Sequence, residues 1–242
     1  MRWEKFIFHY ARFIYDQLLP PVCILCSHPT ARSTNICFTC QQSLPILPDH
    51  CLQCAQFFSG MEKTPLCHTC HHQPPPFDRT FALFPYQSPI TQLIIQLKFQ
   101  HRLPIAKSFA DLLIQRLQTT WYRRQKLPDL IIPMPLHPHR LRERGFNQAV
   151  EIAKPVAKKL GIPLDLHGIK RTKHTQAQSA LPALERKRNI TNAFTAYRDY
   201  SGLTLAVVDD VVTTGQTMAE CCHVLKQHGA RQIDVWCCAR RG

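Results

Sequence analysis

The feature that most constrains this fold is a series of four C-x-x-C pairs between residues 23 and 70. The pairs are Cys23/Cys26, Cys37/Cys40, Cys51/Cys54 and Cys67/Cys70. A C-x-x-C turn can place two thiolates on the same side of a tight bend, and two such turns supply the tetrahedron of sulfur ligands that Zn²⁺ prefers. The series therefore predicts two structural zinc sites, each with four cysteine ligands, in a small module whose folding depends on the metal.

The order of the four pairs leaves two zinc pairings open. In the simpler, sequential arrangement the first two pairs bind one zinc ion and the last two pairs bind the other; the spacing also allows a crossed arrangement. All four positions of each site are filled, so neither site offers the open position of catalytic zinc. A redox C-x-x-C normally stands alone after a strand, which argues against a redox role. The remaining cysteines are interpreted as buried apolar side chains, namely Cys221, Cys222, Cys237 and Cys238.

The length of 242 residues, with 45% apolar residues, allows a larger domain beside this module. We expect a helix over 1–20, the double zinc-binding module over 21–75 and a larger domain over 76–242. Apolar residues of the first segment recur at helical spacing, but charged residues interrupt them, which predicts an amphipathic helix rather than a signal peptide. Docking on its own protein is the first interpretation of this helix, and contact with a membrane surface or a partner is the alternative. The expected location is the cytoplasm, where thiols stay reduced.

From residue 78 onward, strand patterns alternate with helical patterns. Short apolar strands are predicted over 80–86, 130–132, 203–208 and 233–238, and helices over 89–99, 104–121, 147–160 and 215–228. Residues 162–170 form a weaker strand candidate, while 133–148 and 171–188 are interpreted as loops. Pro155 predicts a break or a kink in its helix. The alternation predicts an α/β fold with a parallel sheet and helices on both faces.

The run L-A-V-V-D-D-V-V-T-T-G-Q-T, over residues 205–217, carries the clearest chemistry. A buried strand delivers Asp209 and Asp210 to its carboxyl end, where ligands bind in open α/β sheets. A hydroxyl-rich loop with Gly215 follows, and then a helix whose N-terminus presents N–H groups suited to phosphate. Carboxylates would repel that phosphate, so we expect them to face sugar hydroxyls or Mg²⁺. The run predicts a seat for a ribose 5-phosphate.

This run resembles the phosphoribosyl pyrophosphate (PRPP) signature of type I phosphoribosyltransferases. The resemblance implies that Asp209 and Asp210 hold the ribose and its Mg²⁺. It also implies that the 5-phosphate is held by Thr213, Thr214, Gly215, Gln216 and Thr217.

Further runs are similar to the ComF family, in which a zinc ribbon precedes a phosphoribosyltransferase-like domain. They are P-M-P-L-H-P-H-R-L-R-E-R-G-F-N-Q over 133–148, Arg171 with residues 176–179, the segment 185–189, and Ala193 with Phe194. The resemblance covers nearly the whole chain. It implies PRPP as a ligand and a role in natural transformation, with single-stranded DNA and other DNA-uptake proteins as partners.

The same resemblance extends to residues around the ligand. Pyrophosphate contacts are expected from Lys98, His137, Arg140, Arg142 and Arg144, and flexible-loop contacts from Arg171, Lys173 and Arg186. The formal net charge of +14 suits a pyrophosphate ligand or a nucleic-acid backbone, and composition does not choose between them. No segment indicates a nucleobase pocket, so the sequence does not identify an acceptor, and it assigns no catalytic residue. An active transferase with an unidentified acceptor, in nucleotide or cofactor metabolism, is the alternative function.

Overall fold

A computed structural model describes residues 21–30, 35–58, 60, 64–173 and 192–242. The predicted N-terminal helix, most of the predicted 171–188 loop and Arg186 lie outside these residues. The chain divides into two compact units, Met1–Leu44 and Pro45–Gly242. No helix in the described ranges is both long enough and apolar enough to cross a membrane.

The two cysteine-rich segments repeat one local structure. In the first unit, a bridge between Val22 and Pro29 flanks the first C-x-x-C turn, and helix α1 follows over Phe38–Gln42. In the second unit, a bridge between His50 and Phe57 flanks the third C-x-x-C turn, and helix α2 follows over His68–His72. In both cases a cysteine of the later pair occupies the N-cap of the helix. Each segment is therefore one ribbon with its own four cysteines.

A four-stranded parallel sheet organises the second unit, as the alternating pattern predicts. Its strands are β1 (Arg79–Pro85), β2 (Leu130–Pro133), β5 (Thr204–Val212) and β6 (Gln232–Arg240), in the order β1-β6-β5-β2. Residues 204–208 of β5 and 233–240 of β6 are buried without alternation. Such continuous burial is typical of a parallel sheet covered on both faces. A separate antiparallel pair joins β3 (Ile169–Arg171) to β4 (Phe194–Ala196).

In the described part of this unit, five helices accompany these strands. They are α3 (Ile90–Gln100), α4 (Leu103–Arg116, followed by a π-helical turn over Leu117–Trp121), α5 (Pro138–Arg144), α6 (Gln148–Leu160) and α7 (Gln216–Gln227). Helix α6 continues through Pro155, so the predicted break does not occur. The cysteines of α7 and β6 outside the ribbons are buried, which confirms their interpretation as core residues.

Helix α5 corrects the prediction of a continuous loop over 133–148. None of its residues is buried, so the helix has no apolar face to pack, and its sequence, P-H-R-L-R-E-R, shows no apolar periodicity. The helix is specified by its ends. The His137 side chain accepts a hydrogen bond from the His139 amide, Pro138 occupies the first turn, and Gly145 ends the helix with φ +70°. A side chain that caps the first amides, a proline in the first turn and a glycine just after the last turn are typical signals of helix ends.

Candidate functional site

Both sets of four cysteines converge, and the pairing is sequential. Within each set the sulfur atoms lie within 4.8 Å of one another. The Sγ atoms of Cys26 and Cys37 are 3.7 Å apart, as are those of Cys54 and Cys67. A zinc tetrahedron with Zn–S bonds of about 2.3 Å has edges of about 3.8 Å. Four cysteines at these distances fit a structural zinc ion in each ribbon.

A cavity of about 300 Å³ opens at the carboxyl ends of β2 and β5, the edge where the sequence places its carboxylates. Strand β5 supplies Asp209 and Asp210, and the loop after it supplies Thr213, Gly215 and Thr217. The opposite wall comes from α3, the segment after β2, α5 and β3. Its basic residues are Lys98, Arg140, Arg144 and Arg171. The cavity thus joins a carboxylate pair, a hydroxyl-rich loop and four cationic side chains.

The two adjacent carboxylates have different partners. Asp210 is buried, and its Oδ2 lies 2.8 Å from the Nζ of Lys98. Asp209 Oδ1 accepts a hydrogen bond from the Asp210 amide at 2.8 Å. Burial, reinforced by the negative charge of Asp210, raises the pKa of Asp209 to about 8, despite the opposing effect of Lys98. Asp209 is therefore the carboxyl group that a bound cation or sugar would affect most.

Lys98 is held in its charged form by this pair. Burial alone lowers the pKa of a lysine, but the carboxylates of Asp210 and Asp209 outweigh it, and the Lys98 pKa is raised. The sequence connects Lys98 only with pyrophosphate. Its structural position shows a second role, which is to neutralise the buried carboxylate of Asp210.

The arginine wall concentrates positive charge. Burial lowers the pKa of Arg140, and the neighbouring charge of Arg144 lowers it further. Burial also lowers the pKa of Arg171, with an added contribution from Arg140. Guanidinium groups remain charged at neutral pH, so these shifts reflect burial and the crowding of like charges around arginines that stay charged. An anion in the cavity would relieve that crowding.

The loop between β5 and α7 has the geometry of an anion seat. Gly215 is the N-cap of α7 and has φ +76° and ψ −5°, a conformation that glycine adopts without the penalty of a side chain. Helix α7 has twelve residues, and its first amides point out of the helix towards its N-terminus. Thr213 and Thr217 line the cavity beside them. Hydroxyls, amides and the helix dipole together favour a phosphate group.

The remaining candidates lie elsewhere. Thr214 and Gln216 line a neighbouring cavity. His137 caps α5, Arg142 is exposed, and neither lines the carboxylate cavity. Lys173 is exposed and also lies outside this lining. Four histidines that lie close to the C-x-x-C pairs in the sequence are exposed, namely His28, His68, His71 and His72.

Two structural contributors had no clear signal in the sequence. Gln148 is buried at the start of α6, and its Oε1 accepts a hydrogen bond from Arg144 at 3.1 Å, which orients that arginine in the wall. Arg240 ends the apolar run of β6 and is buried, with only 4% of its surface exposed. A charged residue within a buried strand is the one sequence feature that distinguishes it.

Comparison with known proteins agrees with both parts of the chain. Residues 14–77 match the double zinc ribbon domain, and residues 147–242 match the phosphoribosyl transferase domain. The DNA utilization protein YhgH of Salmonella typhi is 38% identical over 226 residues, covering 92% of this chain and 98% of that protein. Competence protein F of Haemophilus influenzae is 33% identical over 225 residues, covering 90% and 96%, respectively. The chain belongs to the ComF family.

Membership of the ComF family confirms the resemblance that the sequence motifs indicate. It also confirms the order of a zinc-ribbon region followed by a phosphoribosyltransferase domain. Among solved structures, the adenine phosphoribosyltransferase of Leishmania donovani is a distant neighbour, with 14% identity and a TM-score of 0.38 over 65% of this chain and 70% of that one.

Proposed function

We propose that this ComF protein binds PRPP with Mg²⁺ in the carboxylate cavity and acts in the cytoplasm on incoming single-stranded DNA during natural transformation. The observation that carries the proposal is the meeting of Asp209, Asp210 and the 213–217 loop at one end of the sheet. A ribose 5-phosphate suits both parts, because its phosphate can occupy the loop while its hydroxyls, or a bound Mg²⁺, face the carboxylates.

The chemistry of the cavity assigns a place to each part of PRPP. The 5-phosphate suits the loop and the N-terminus of α7. The ribose hydroxyls, or a Mg²⁺ ion bound to them, suit Asp209 and Asp210, because carboxylate oxygens are preferred magnesium ligands. The pyrophosphate suits Arg140, Arg144 and Arg171, whose planar forks can each bind two phosphate oxygens.

The direct test replaces Asp209 by Asn, which preserves the Lys98–Asp210 ion pair and so avoids leaving a buried lysine charge. Titration calorimetry with PRPP and Mg²⁺ should show saturable binding to the wild type and at least about a tenfold loss of affinity in the variant, as expected for a lost charged contact. Asp111→Asn is the control, because Asp111 lies half-buried on α4, outside the cavity lining, and pairs only with Lys107 in the described contacts. Equal affinities for all three proteins would refute the site.

An active transferase is the second candidate, favoured by the intact carboxylate and phosphate elements. Displacement of pyrophosphate from the anomeric carbon would depend chiefly on positioning and charge stabilisation. Pyrophosphate release should then appear when an acceptor is supplied. Its absence with nucleobases, nucleotides and single-stranded DNA as acceptors would favour a protein that binds PRPP without transferring it.

DNA contact is supported by an exposed aromatic residue beside the cavity. Phe99, at the end of α3, is 65% exposed, and the Arg144 guanidinium lies 5.5 Å from the centre of its ring. Arg144 also lines the cavity. An aromatic ring for base stacking next to arginines for phosphates is typical of single-strand binding surfaces. The net charge of +14 acts in the same direction.

Replacement of Phe99 by Ala tests this surface. Base stacking contributes about 1–3 kcal/mol per base, so the affinity for a short single-stranded DNA should fall about fivefold or more. Fluorescence anisotropy over a series of salt concentrations should show a similar salt dependence for variant and wild type, since no charge is removed. Tyr197→Ala is a matched control, because Tyr197 is 63% exposed and contacts Lys170, which does not line the cavity as Arg144 does. Equal losses in both variants would contradict a DNA surface at Phe99.

A further inference from the structure

One short loop separates the carboxylate cavity from the second zinc ribbon. Val212 and Gly215 line the carboxylate cavity and also a second cavity of about 290 Å³. The far wall of the second cavity includes Cys54, Cys67 and Cys70, three of the four cysteines of that ribbon. The loop that would hold the 5-phosphate therefore has a metal-binding ribbon behind it.

Arg240 spans the distance between ribbon and loop. Its Nε donates to the Cys54 carbonyl at 2.9 Å, and its Nη2 donates to Gln56 Oε1 at 2.9 Å. Its Nη1 donates to the Val212 carbonyl at 3.4 Å and to the carbonyls of Thr213 and Arg241. One guanidinium thus joins a zinc-ligand residue to the start of the phosphate loop.

The hydrogen bonds of Arg240 can couple the position of the ribbon to that of the 213–217 loop. Arg240 is buried, and its planar group has donors in fixed directions, so its partners cannot move independently. The Cys54 carbonyl belongs to the residue whose thiolate binds the metal, so coordination fixes this acceptor in space. The amide of Ala55, which follows, donates to the Cys51 carbonyl at 2.8 Å and closes the turn. Opening of the ribbon would displace two acceptors of Arg240 at once.

We propose that Arg240 is a positioning residue that couples metal binding at the second four-cysteine site to anion binding by the 213–217 loop. The inference rests on the proposed function, since the anion is the 5-phosphate of PRPP. A filled ribbon holds Arg240, and Arg240 holds the carbonyls of Val212 and Thr213, so the loop keeps its shape before the ligand arrives. Such preorganisation strengthens binding because less order remains to be gained.

Coupling of this kind is reciprocal, and that gives a readout apart from activity. If metal at the second ribbon strengthens PRPP binding, PRPP must strengthen metal binding by the same factor. A chromogenic chelator should remove two zinc ions from the full chain. With PRPP and Mg²⁺ present, the affinity of one of the two should rise by about tenfold, within the usual range for coupled sites.

The variants use two glutamines of the same turn. Gln56→Ala removes an acceptor of Arg240 and should abolish most of the effect of PRPP on zinc affinity. Gln53→Ala is the matched control, since the Gln53 side chain donates to the Phe77 carbonyl at 2.9 Å instead. It should retain the coupling. Arg240→Lys keeps the charge but not the fork, and should lose the coupling while both zinc ions still bind.

The outcomes separate this inference from the proposed function. If the wild type binds PRPP but its two zinc affinities do not change, the coupling is wrong and the PRPP site stands. If the wild type does not bind PRPP, both the coupling and the proposed PRPP site are wrong. Hydrogen exchange adds a measurement without ligand: amides of residues 213–217 should exchange faster in Gln56→Ala than in Gln53→Ala, and equal rates would overturn the role of Arg240.

Discussion

At the residue scale, the site is defined by two neighbouring aspartates that serve different purposes. Both line the cavity; Asp210 is buried and pairs with Lys98, and Asp209 has a raised pKa. The strand brings both to the same place, and the raised pKa leaves Asp209 with a proton that a ligand can displace. A cation bound there would replace that proton.

A pH dependence follows from this raised pKa. Below about pH 8 part of the protein carries a proton on Asp209, which must leave when PRPP and Mg²⁺ bind. The affinity should therefore rise with pH and level off above about 8, changing by at most about tenfold per pH unit for one proton. Calorimetry at pH 7 in two buffers of different ionisation enthalpy should detect the released proton.

The variant Asp209→Asn separates this proton from those of the ligand's own phosphates. The protein's share of the release should vanish in the variant, leaving only the share of PRPP. An identical proton release in the variant and the wild type would show that Asp209 already binds its ligand in the ionised form.

Some residues of the site can be recognised in the sequence, and others only in the structure. Asp209, Asp210 and Gly215 were recognisable because they lie within one short run. Arg240 was not, since Cys54 precedes it by 186 positions and only the fold brings them together. A local pattern predicts a local site, whereas the support of that site depends on tertiary contacts.

At the element scale, the loop between β5 and α7 depends on the conformation of Gly215. A Cβ at this position would meet nothing closer than Val212 Cγ1 at 4.0 Å, so space is available. The positive φ is the constraint, and an alanine there costs about 1–2 kcal/mol. Gly215→Ala should therefore lower the melting temperature by a few degrees and also weaken PRPP binding, measured by thermal unfolding and calorimetry.

Gly202 provides the control for this element. Its φ is +75°, and a Cβ there would have no neighbour within 4 Å, so Gly202→Ala carries a similar strain outside the cavity. Both variants should lose similar stability, but only Gly215→Ala should lose affinity for PRPP. Equal affinity in the two variants would mean that the loop does not contact the ligand.

The helices and strands differ in how clearly the sequence predicts them. The sequence predicts strands β5 and β6 because apolar residues dominate them, and helix α7 because it has a helical pattern that ends before Gly229. The apolar pattern does not predict helix α5, because this helix buries no residue and is specified by a cap, a proline and a glycine. Strand β4 has three residues, too few for a pattern of its own.

At the scale of the whole molecule, the cysteine series and the α/β alternation determined the predicted architecture because each is a repeated pattern. Sequential zinc pairing needed the structure, as spacing allowed both arrangements. The sequence also does not predict the contacts between the second ribbon and the sheet. The side chain of Thr80 in β1 donates to the Gln53 carbonyl at 2.7 Å, so this ribbon is anchored to the domain that holds the carboxylate cavity.

The most direct test of the central claim is a crystal structure of the protein with PRPP and Mg²⁺. We expect the 5-phosphate on residues 213–217 at the N-terminus of α7, the ribose beside Asp209 and Asp210, and the pyrophosphate towards Arg140, Arg144 and Arg171. The space above the anomeric carbon would then show whether an acceptor can approach. PRPP bound at another surface, or an empty cavity at saturating PRPP, would contradict the account.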